Sequence, residues 1–228
     1  MNLLNKQLAA GKIYMGLPQY IRKVDKARND IIAMLSRCEK NYVALSWGKQ
    51  SIVLAHQVYS VSEDIPCVHW TGPDAQLIAD FNSVRDQFLS RWGIKYLEFS
   101  EGPMGDLMGA IDKFVYKYKM QGVFLGLSAY ESKGRKHTLR KNDSDNIYAY
   151  ASGMFRCCPL ADWTAHDLAA YITSHDLPLL STYHRYGLDA RTSVGVTPGS
   201  HAERGIDLLK SENQAKIRNR WRLMETKL

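Results

Sequence analysis

A chain of 228 residues with 45% hydrophobic content is long enough to bury one substantial core, and it needs no second domain to do so. It has no run of eighteen apolar residues, and the opening MNLLNKQLAAGKIYMGLP lacks a secretory core with a cleavage site, so a cytoplasmic protein without membrane association is expected. The formal charge of +7 points to an anionic ligand, whether a nucleotide, a sulfate-bearing compound or nucleic acid, without choosing among them.

Val24, Ala27, Ile31 and Leu35 recur at helical spacing and predict a helix that packs on a sheet. The run YVALS at 42–46 then reads as a buried strand, followed by a helix beginning near Lys49. A second strand, IPCVHW at 65–70, ends in Thr71, Gly72 and Pro73, and a helix over 74–92 follows. IKYLEFS at 94–100 reads as a strand, GDLMGAIDKFVYKYKMQ as a helix, and GVFLGLS at 122–128 as another strand. Strands alternating with helices predict parallel pairing through right-handed crossovers, hence an α/β fold built as a three-layer α/β/α sandwich on a mostly parallel sheet. Ligands in such sheets gather at the carboxyl ends of the strands, where Ser46, Thr71 and Ser128 are expected. Further on, PLADWTAHD predicts a helix start with Thr164 as N-cap and Asp167 at the capping-box position, and Trp163 as a packing anchor. The expected organisation is a single domain over 1–228, with a core at 24–175 and a C-terminal lid and helical extension at 176–228.

The turn after the first strand carries the chemistry. In YVALSWGKQS, residues 42–51, small residues and backbone N–H groups fall between strand and helix, where a phosphate can sit on the helix N-terminus. The spacing is not that of the common phosphate loop GxxxxGKS/T; it is S-x-G-x-D/Q-S. Ser46 and Ser51 offer hydroxyl donors, Gly48 a close backbone approach, and Lys49 a charge at the helix start. This pattern resembles the PP-loop of the adenine nucleotide alpha hydrolase-like superfamily, which includes ATP pyrophosphatases and phosphoadenosine phosphosulfate (PAPS) reductases. The pyrophosphatases usually show SGGxDS. Here Trp47 holds the second position and Gln50 stands where Asp is expected, which is closer to the PAPS reductase variant and removes a carboxylate that would help arrange magnesium and a triphosphate.

Two further segments are similar to the same family. Residues 126–135, GLSAYESKGR, resemble its GxRAxESxxR motif through Gly126, Ala129, Glu131, Ser132 and Arg135, with Ser128 in place of Arg. Around it, KGRKHTLRK at 133–141 carries five Lys or Arg residues and no acid, and reads as a basic loop at the mouth of an anion site, with Arg135 and Arg140 as guanidinium ligands. The third segment is Pro159 to Asp167, similar to PLxxWTxxDV. The resemblance implies an adenine nucleotide, ATP or PAPS, as ligand or substrate, with magnesium accompanying a triphosphate. It implies nucleotide contacts from Ser46, Trp47, Gly48, Gln50, Ser51, Thr71, Gly72, Gly126, Ser128, Glu131, Ser132 and Arg140. Lys49 and Arg135 would stabilise charge at the reacting phosphate.

Cysteine usage argues against self-contained redox chemistry. Cys38 and Cys67 fall in apolar patterns, Cys157 and Cys158 are adjacent without a CxxC, and no cysteine follows Cys158, so no iron–sulfur cluster is expected. Thiol-dependent relatives carry a C-terminal ECGLH or ECGIH segment, which has no counterpart here. The preferred reading is an adenine-nucleotide enzyme acting at a phosphate or phosphosulfate group, by cleavage or adenylyl transfer, without the reductase cysteine. One alternative is a PAPS reductase whose thiol comes from a protein partner; another is a nucleotide sensor or a nucleic-acid-binding module, for which Arg218, Arg220 and Arg222 offer charge that the motifs do not require. His69 is the nearest general-base candidate by sequence position, but a packed strand histidine is the preferred reading of it.

Overall fold

The computed structural model describes residues 2–71, 80–99, 107–131, 133–140, 146–150 and 152–189. Helices occupy Leu3–Tyr14 (α1), Pro18–Arg37 (α2), Lys49–Val61 (α3), Phe81–Trp92 (α4), Leu107–Tyr118 (α5), Lys133–Arg140 (α6), Ala165–His175 (α7) and Thr182–Tyr186 (α8). Strands occupy Asn41–Ala44 (β1), Cys67–Trp70 (β2), Tyr96–Phe99 (β3), Gly122–Leu125 (β4), Ile147–Ala149 (β5) and Phe155–Cys157 (β6). They form one sheet in the order β3-β2-β1-β4-β6-β5, with every pair parallel except β5 against β6.

Side-chain alternation along the strands divides the interior in two. Tyr42, Val68 and Val123 point to a small cluster with Phe114 of α5, whereas Val43, Cys67 and Phe124 point to a larger one built with α2, α3, α4 and α7. Helices on both faces of a mostly parallel sheet give the expected three-layer α/β/α architecture. Helix α3 lies deep: every residue from Lys49 to Val58 is buried, the polar Gln50, His56 and Gln57 among them. Helix α2 starts with Pro18 at its first position and buries Tyr20, Ala27, Ile31 and Met34, with Val24 and Leu35 packed beside them.

Helix α1 crosses α7 closely. A Cβ on Gly11 would lie 2.7 Å from the Ala169 carbonyl carbon, so only glycine permits that approach. Leu4 of α1 and Leu180, Tyr183 and Leu188 around α8 join the larger core. Helix α7 opens with the expected capping box: Thr164 Oγ1 accepts from Asp167 N, and Asp167 accepts from Thr164 N at 2.7 Å. The buried Asp167 carboxylate also takes Lys23 Nζ of α2 at 2.7 Å, which ties the two helices together. Trp163 is buried against Tyr20 and Tyr171, as expected of an anchor.

One reading of the sequence is corrected, and one element has no counterpart in it. Residues 133–140, read as part of a basic loop, are helical, because Lys, Arg and Leu are good helix formers even without an apolar stripe. The β5–β6 hairpin was not predicted at all; its strands are three residues each, too short for alternation to register.

Candidate functional site

The site lies where β1 gives way to α3. Trp47 sits there at φ 58°, the left-handed region that suits glycine and is uncommon for a bulky residue. Its conformation is held from below, since the indole is fully buried, edge-on to His69, Phe81, Phe88 and Tyr96 at 5.7–6.4 Å between ring centroids. Trp47 is therefore a loop anchor, and any ligand contact from it comes through the backbone. Gly48, by contrast, has φ −73° and ψ 158°, extended backbone open to any residue; it is the N-cap of α3 and brings no capping side chain. That leaves the helix end dependent on partners from elsewhere.

Within the loop the two serines brace each other. Ser51 Oγ accepts from Ser46 N at 3.2 Å, lies 3.3 Å from Ser46 Oγ, and donates to Gly48 O at 2.9 Å. Gln50 and Ser51 are buried in the first turn of α3, as is Lys49, whose ammonium stands 5.7 Å from the ring centroid of Tyr183. Tyr183 also takes the Lys49 N–H on its hydroxyl oxygen at 2.9 Å. This residue was missed as a site candidate; its one sequence signal is its position at the end of LPLLSTY.

The second motif meets the loop through Gly126. A Cβ there would stand 3.0 Å from the Gln50 carbonyl carbon and oxygen and from Ser51 N, so the end of β4 lies directly on the first turn of α3. Ser128, expected at a ligand, is instead buried and engaged. It donates to Trp163 O at 2.6 Å and accepts from Tyr130 N at 3.1 Å, while Ala129 N donates to Ala161 O. The second and third motifs are thus stitched together by Ser128, whose hydroxyl serves the turn. Glu131 and Arg135 form an ion pair four residues apart at the start of α6, so the Arg135 guanidinium has a carboxylate beside it. Gly72, Ser132, the side chain of Arg140 and the part of the expected lid and helical extension beyond residue 189 lie outside the described residues.

On the other side of the loop, Thr71 donates its hydroxyl to Glu98. Glu98 also accepts from Tyr96 OH at 3.3 Å and has Arg85 Nη1 at 3.9 Å, which makes it an exposed carboxylate near the strand ends. His69 packs under Trp47 with Nδ1 2.9 Å from Leu45 O, and burial lowers its pKa. It reads as a packed strand histidine. All four cysteines are buried free thiols; burial raises Cys157 and Cys158, with Asp30 adding to the effect on Cys157. A raised thiol is a poor nucleophile. Among the described residues, no three His, Cys, Asp or Glu side chains gather in a way that would hold a metal ion, and no helix is long and apolar enough to cross a membrane.

Residues 108–202 match the phosphoadenosine phosphosulfate reductase domain, which bears out the resemblance carried by the second and third motifs. No curated protein matches the sequence. Among solved structures, a phosphoadenylyl-sulfate (PAPS) reductase from Candida auris in a phosphate complex aligns with a TM-score of 0.57 at 11% identity, covering 75% of this chain and 88% of that one. An FMN adenylyltransferase from Candida glabrata, in complex with FMN and the ATP analog AMPCPP, aligns with a TM-score of 0.60 at 12% identity over 80% and 71% of the two chains. An NMN synthetase from Francisella tularensis gives 0.51 at 14% identity over 89% and 92%. At these identities the likeness is one of fold, and it agrees with the sheet order and layers described above.

Proposed function

We propose that this chain, a relative of the phosphoadenosine phosphosulfate reductase family through residues 108–202, is an adenine-nucleotide-binding enzyme that acts at a phosphate or phosphosulfate group by cleavage or adenylyl transfer. The observation that carries the reading is the junction of Gly126 with the first turn of α3, where two motifs of the family converge on one buried helix N-terminus. Phosphate oxygens would take backbone N–H groups of the loop over 46–51, assisted by the helix dipole and by Lys49. The braced serines keep the loop in shape before the ligand arrives, so little ordering is left to be done on binding. Arg135 would contribute charge from the start of α6, and Thr71 and Gly126 would border the nucleotide on either side.

Two departures from the family pattern bear on chemistry. Gln50 in place of an acid leaves the loop without a carboxylate, so a magnesium ion would arrive with a triphosphate rather than be held by a built cage. The thiols at Cys157 and Cys158 are buried and raised, which supports a non-redox reaction over reduction by the chain's own cysteines. The second reading, a PAPS reductase supplied with a thiol by a partner, draws on the same domain match.

Calorimetric titration with ATP, PAPS, adenosine phosphosulfate and 3′,5′-adenosine bisphosphate tests the proposal. Saturable binding of at least one, followed by release of pyrophosphate, phosphate or sulfate without sulfite, is the expected outcome. Sulfite release dependent on an added thiol protein would favour the second reading. Absence of binding by all four would end the nucleotide reading.

A further inference from the structure

The edge of the sheet carries an arginine without a carboxylate. In the β5–β6 hairpin Arg156 stands opposite Tyr148, with Tyr150 two residues further along the same face. Its guanidinium carbon lies 3.7 Å from the ring centroid of Tyr148 and 4.6 Å from that of Tyr150, and Nη1 donates to the Tyr150 hydroxyl at 3.4 Å. Among the described residues no acid pairs with Arg156, and its buried Nε has no acceptor. The two rings hold the group in place while its charge stays uncompensated. Tyr150 is 37% exposed, so the clamp opens to solvent. Helix α6 extends this surface: its 8 residues include Lys133, Arg135, Lys136 and Arg140 and no acid, and Lys136 and His137 are exposed. Burial raises the Cys158 thiol, and the Tyr148 hydroxyl and the charges of Arg156 and Arg135 oppose the rise, so both guanidinium groups lie near the end of β6. Arg135 has Glu131 beside it, which leaves Lys136 and Arg156 as the cations that matter most here. The surface adjoins the loop over 46–51, because β6 pairs with β4 and the end of β4 lies on the first turn of α3.

We propose that α6 and the β5–β6 hairpin form a binding surface for single-stranded nucleic acid. Phosphates of the strand pair with Arg156, and a row of cations suits a polyanion better than a single small anion. The tyrosines add a second element of recognition. Unpaired bases stack on exposed phenol rings and on guanidinium groups, a contact that a duplex keeps out of reach. An acidic peptide matches the charge and leaves the exposed ring without a partner. The inference stands apart from the nucleotide reading of the loop, in which neither Arg156 nor Tyr150 takes part.

Fluorescence anisotropy of a labelled single strand, as RNA and as DNA, tests this at several salt concentrations with the wild-type chain, Arg156→Gln, Lys136→Gln, Tyr150→Ala and Arg22→Gln. The wild type should bind at least one strand, less tightly as salt rises, and a duplex of the same sequence more weakly. Arg156→Gln and Lys136→Gln should each weaken binding about three- to tenfold and flatten the logarithmic salt slope by about 0.7, the share of one phosphate contact. Tyr150→Ala should weaken it about fivefold or more with the slope unchanged, because stacking releases no counterions. A clamp that only holds the hairpin together would lower the melting temperature of Arg156→Gln and leave the salt slope alone. Arg22→Gln removes an exposed charge from α2, across the sheet, and should bind as the wild type does. Lys136→Gln decides the matter if the hairpin variants do not fold. The inference is overturned by a wild type that binds neither strand, by folded variants that bind as the wild type does, by a duplex that binds as tightly as the strand, or by polyglutamate that competes as well as unlabelled strand.

Discussion

Gly126 and Gln50 are in backbone contact: a Cβ at Gly126 would stand 3.0 Å from the carbonyl carbon and oxygen of Gln50. Residues 76 apart in sequence are thereby locked at the point where the phosphate loop becomes a helix. Gly126→Ala must push α3 by a few tenths of an ångström, since the neighbouring atoms are backbone and cannot rotate away. It should cost about 1–3 kcal/mol in denaturant unfolding and weaken adenine-nucleotide binding. Gly16→Ala, whose Cβ would meet only Ile13 O at 3.8 Å, should be close to neutral in both measurements.

Trp47 sets a second test, because its backbone and its side chain make opposite demands. Truncating a buried tryptophan typically costs about 3–5 kcal/mol through the cavity left behind, here among His69, Phe81, Phe88 and Tyr96. The left-handed φ of 58° penalises any residue with a Cβ by about 1–2 kcal/mol, which glycine escapes. Trp47→Gly should therefore be less destabilising than Trp47→Ala, by about 1 kcal/mol, reversing the usual order of these residues. Urea unfolding of the two variants reads the difference directly.

That conflict also explains what the sequence could reveal of the site. The strand, turn and helix around Ser46 to Ser51 were legible because an apolar run, small residues and a second apolar run follow one another, and the capping box at Thr164 and Asp167 was legible because both residues lie within one turn. Trp47 at the loop's second position is expected among the nucleotide contacts, and nothing local says which way an indole points from a left-handed residue. Ser128 is expected at the nucleotide from its place at a strand end, and its hydroxyl is engaged by the carbonyl of Trp163, 35 residues away, a relationship set by the crossover from β4 to β6. Tyr183 escaped for the same reason: its role comes from a contact with Lys49 across 134 residues. Helix α6 was misread because its basic composition lacks any apolar face, and short edge strands such as β5 give no period to detect.

A buried histidine on the loop helix predicts acid sensitivity. His56 of α3 bonds through Nδ1 to Tyr171 OH at 2.9 Å and lies 4.6 Å from His175 between ring centroids, with Trp92 on another side. Burial, followed by the neighbouring His175 and Arg91 charges, lowers its pKa to about 4, and His175 is lowered as well; Asp176 pairs with Arg91. Because the unfolded chain takes up the proton near pH 6.5 and the folded chain only near 4, the unfolded state binds more protons between those values. Stability should be fully present above about pH 6.5 and fall as the pH drops towards 4. Melting curves across that range should show the decline, and His56→Gln should flatten it.

The vicinal cysteines should be silent in the native protein. Cys157 lies against the Asp30 carbonyl at 3.6 Å and Cys158 against Tyr148 OH at 3.3 Å, both buried and both raised by burial. A thiol-reactive disulfide reagent at pH 8 should label neither until the chain is unfolded. Cys158→Ala should leave nucleotide affinity within twofold. Rapid native labelling together with sulfite release lost in that variant would restore a reductase role to this pair.

The central claim is that the loop over 46–51 is the cradle for the phosphate of an adenine nucleotide. The most direct test is a titration of ATP and PAPS followed through backbone amide resonances of the isotope-labelled chain. Binding at the cradle should give saturable shifts concentrated at Trp47 to Ser51 and Gly126. Shifts confined to α6 or to residues beyond 189, or no saturable shift at the loop with either nucleotide, would contradict it.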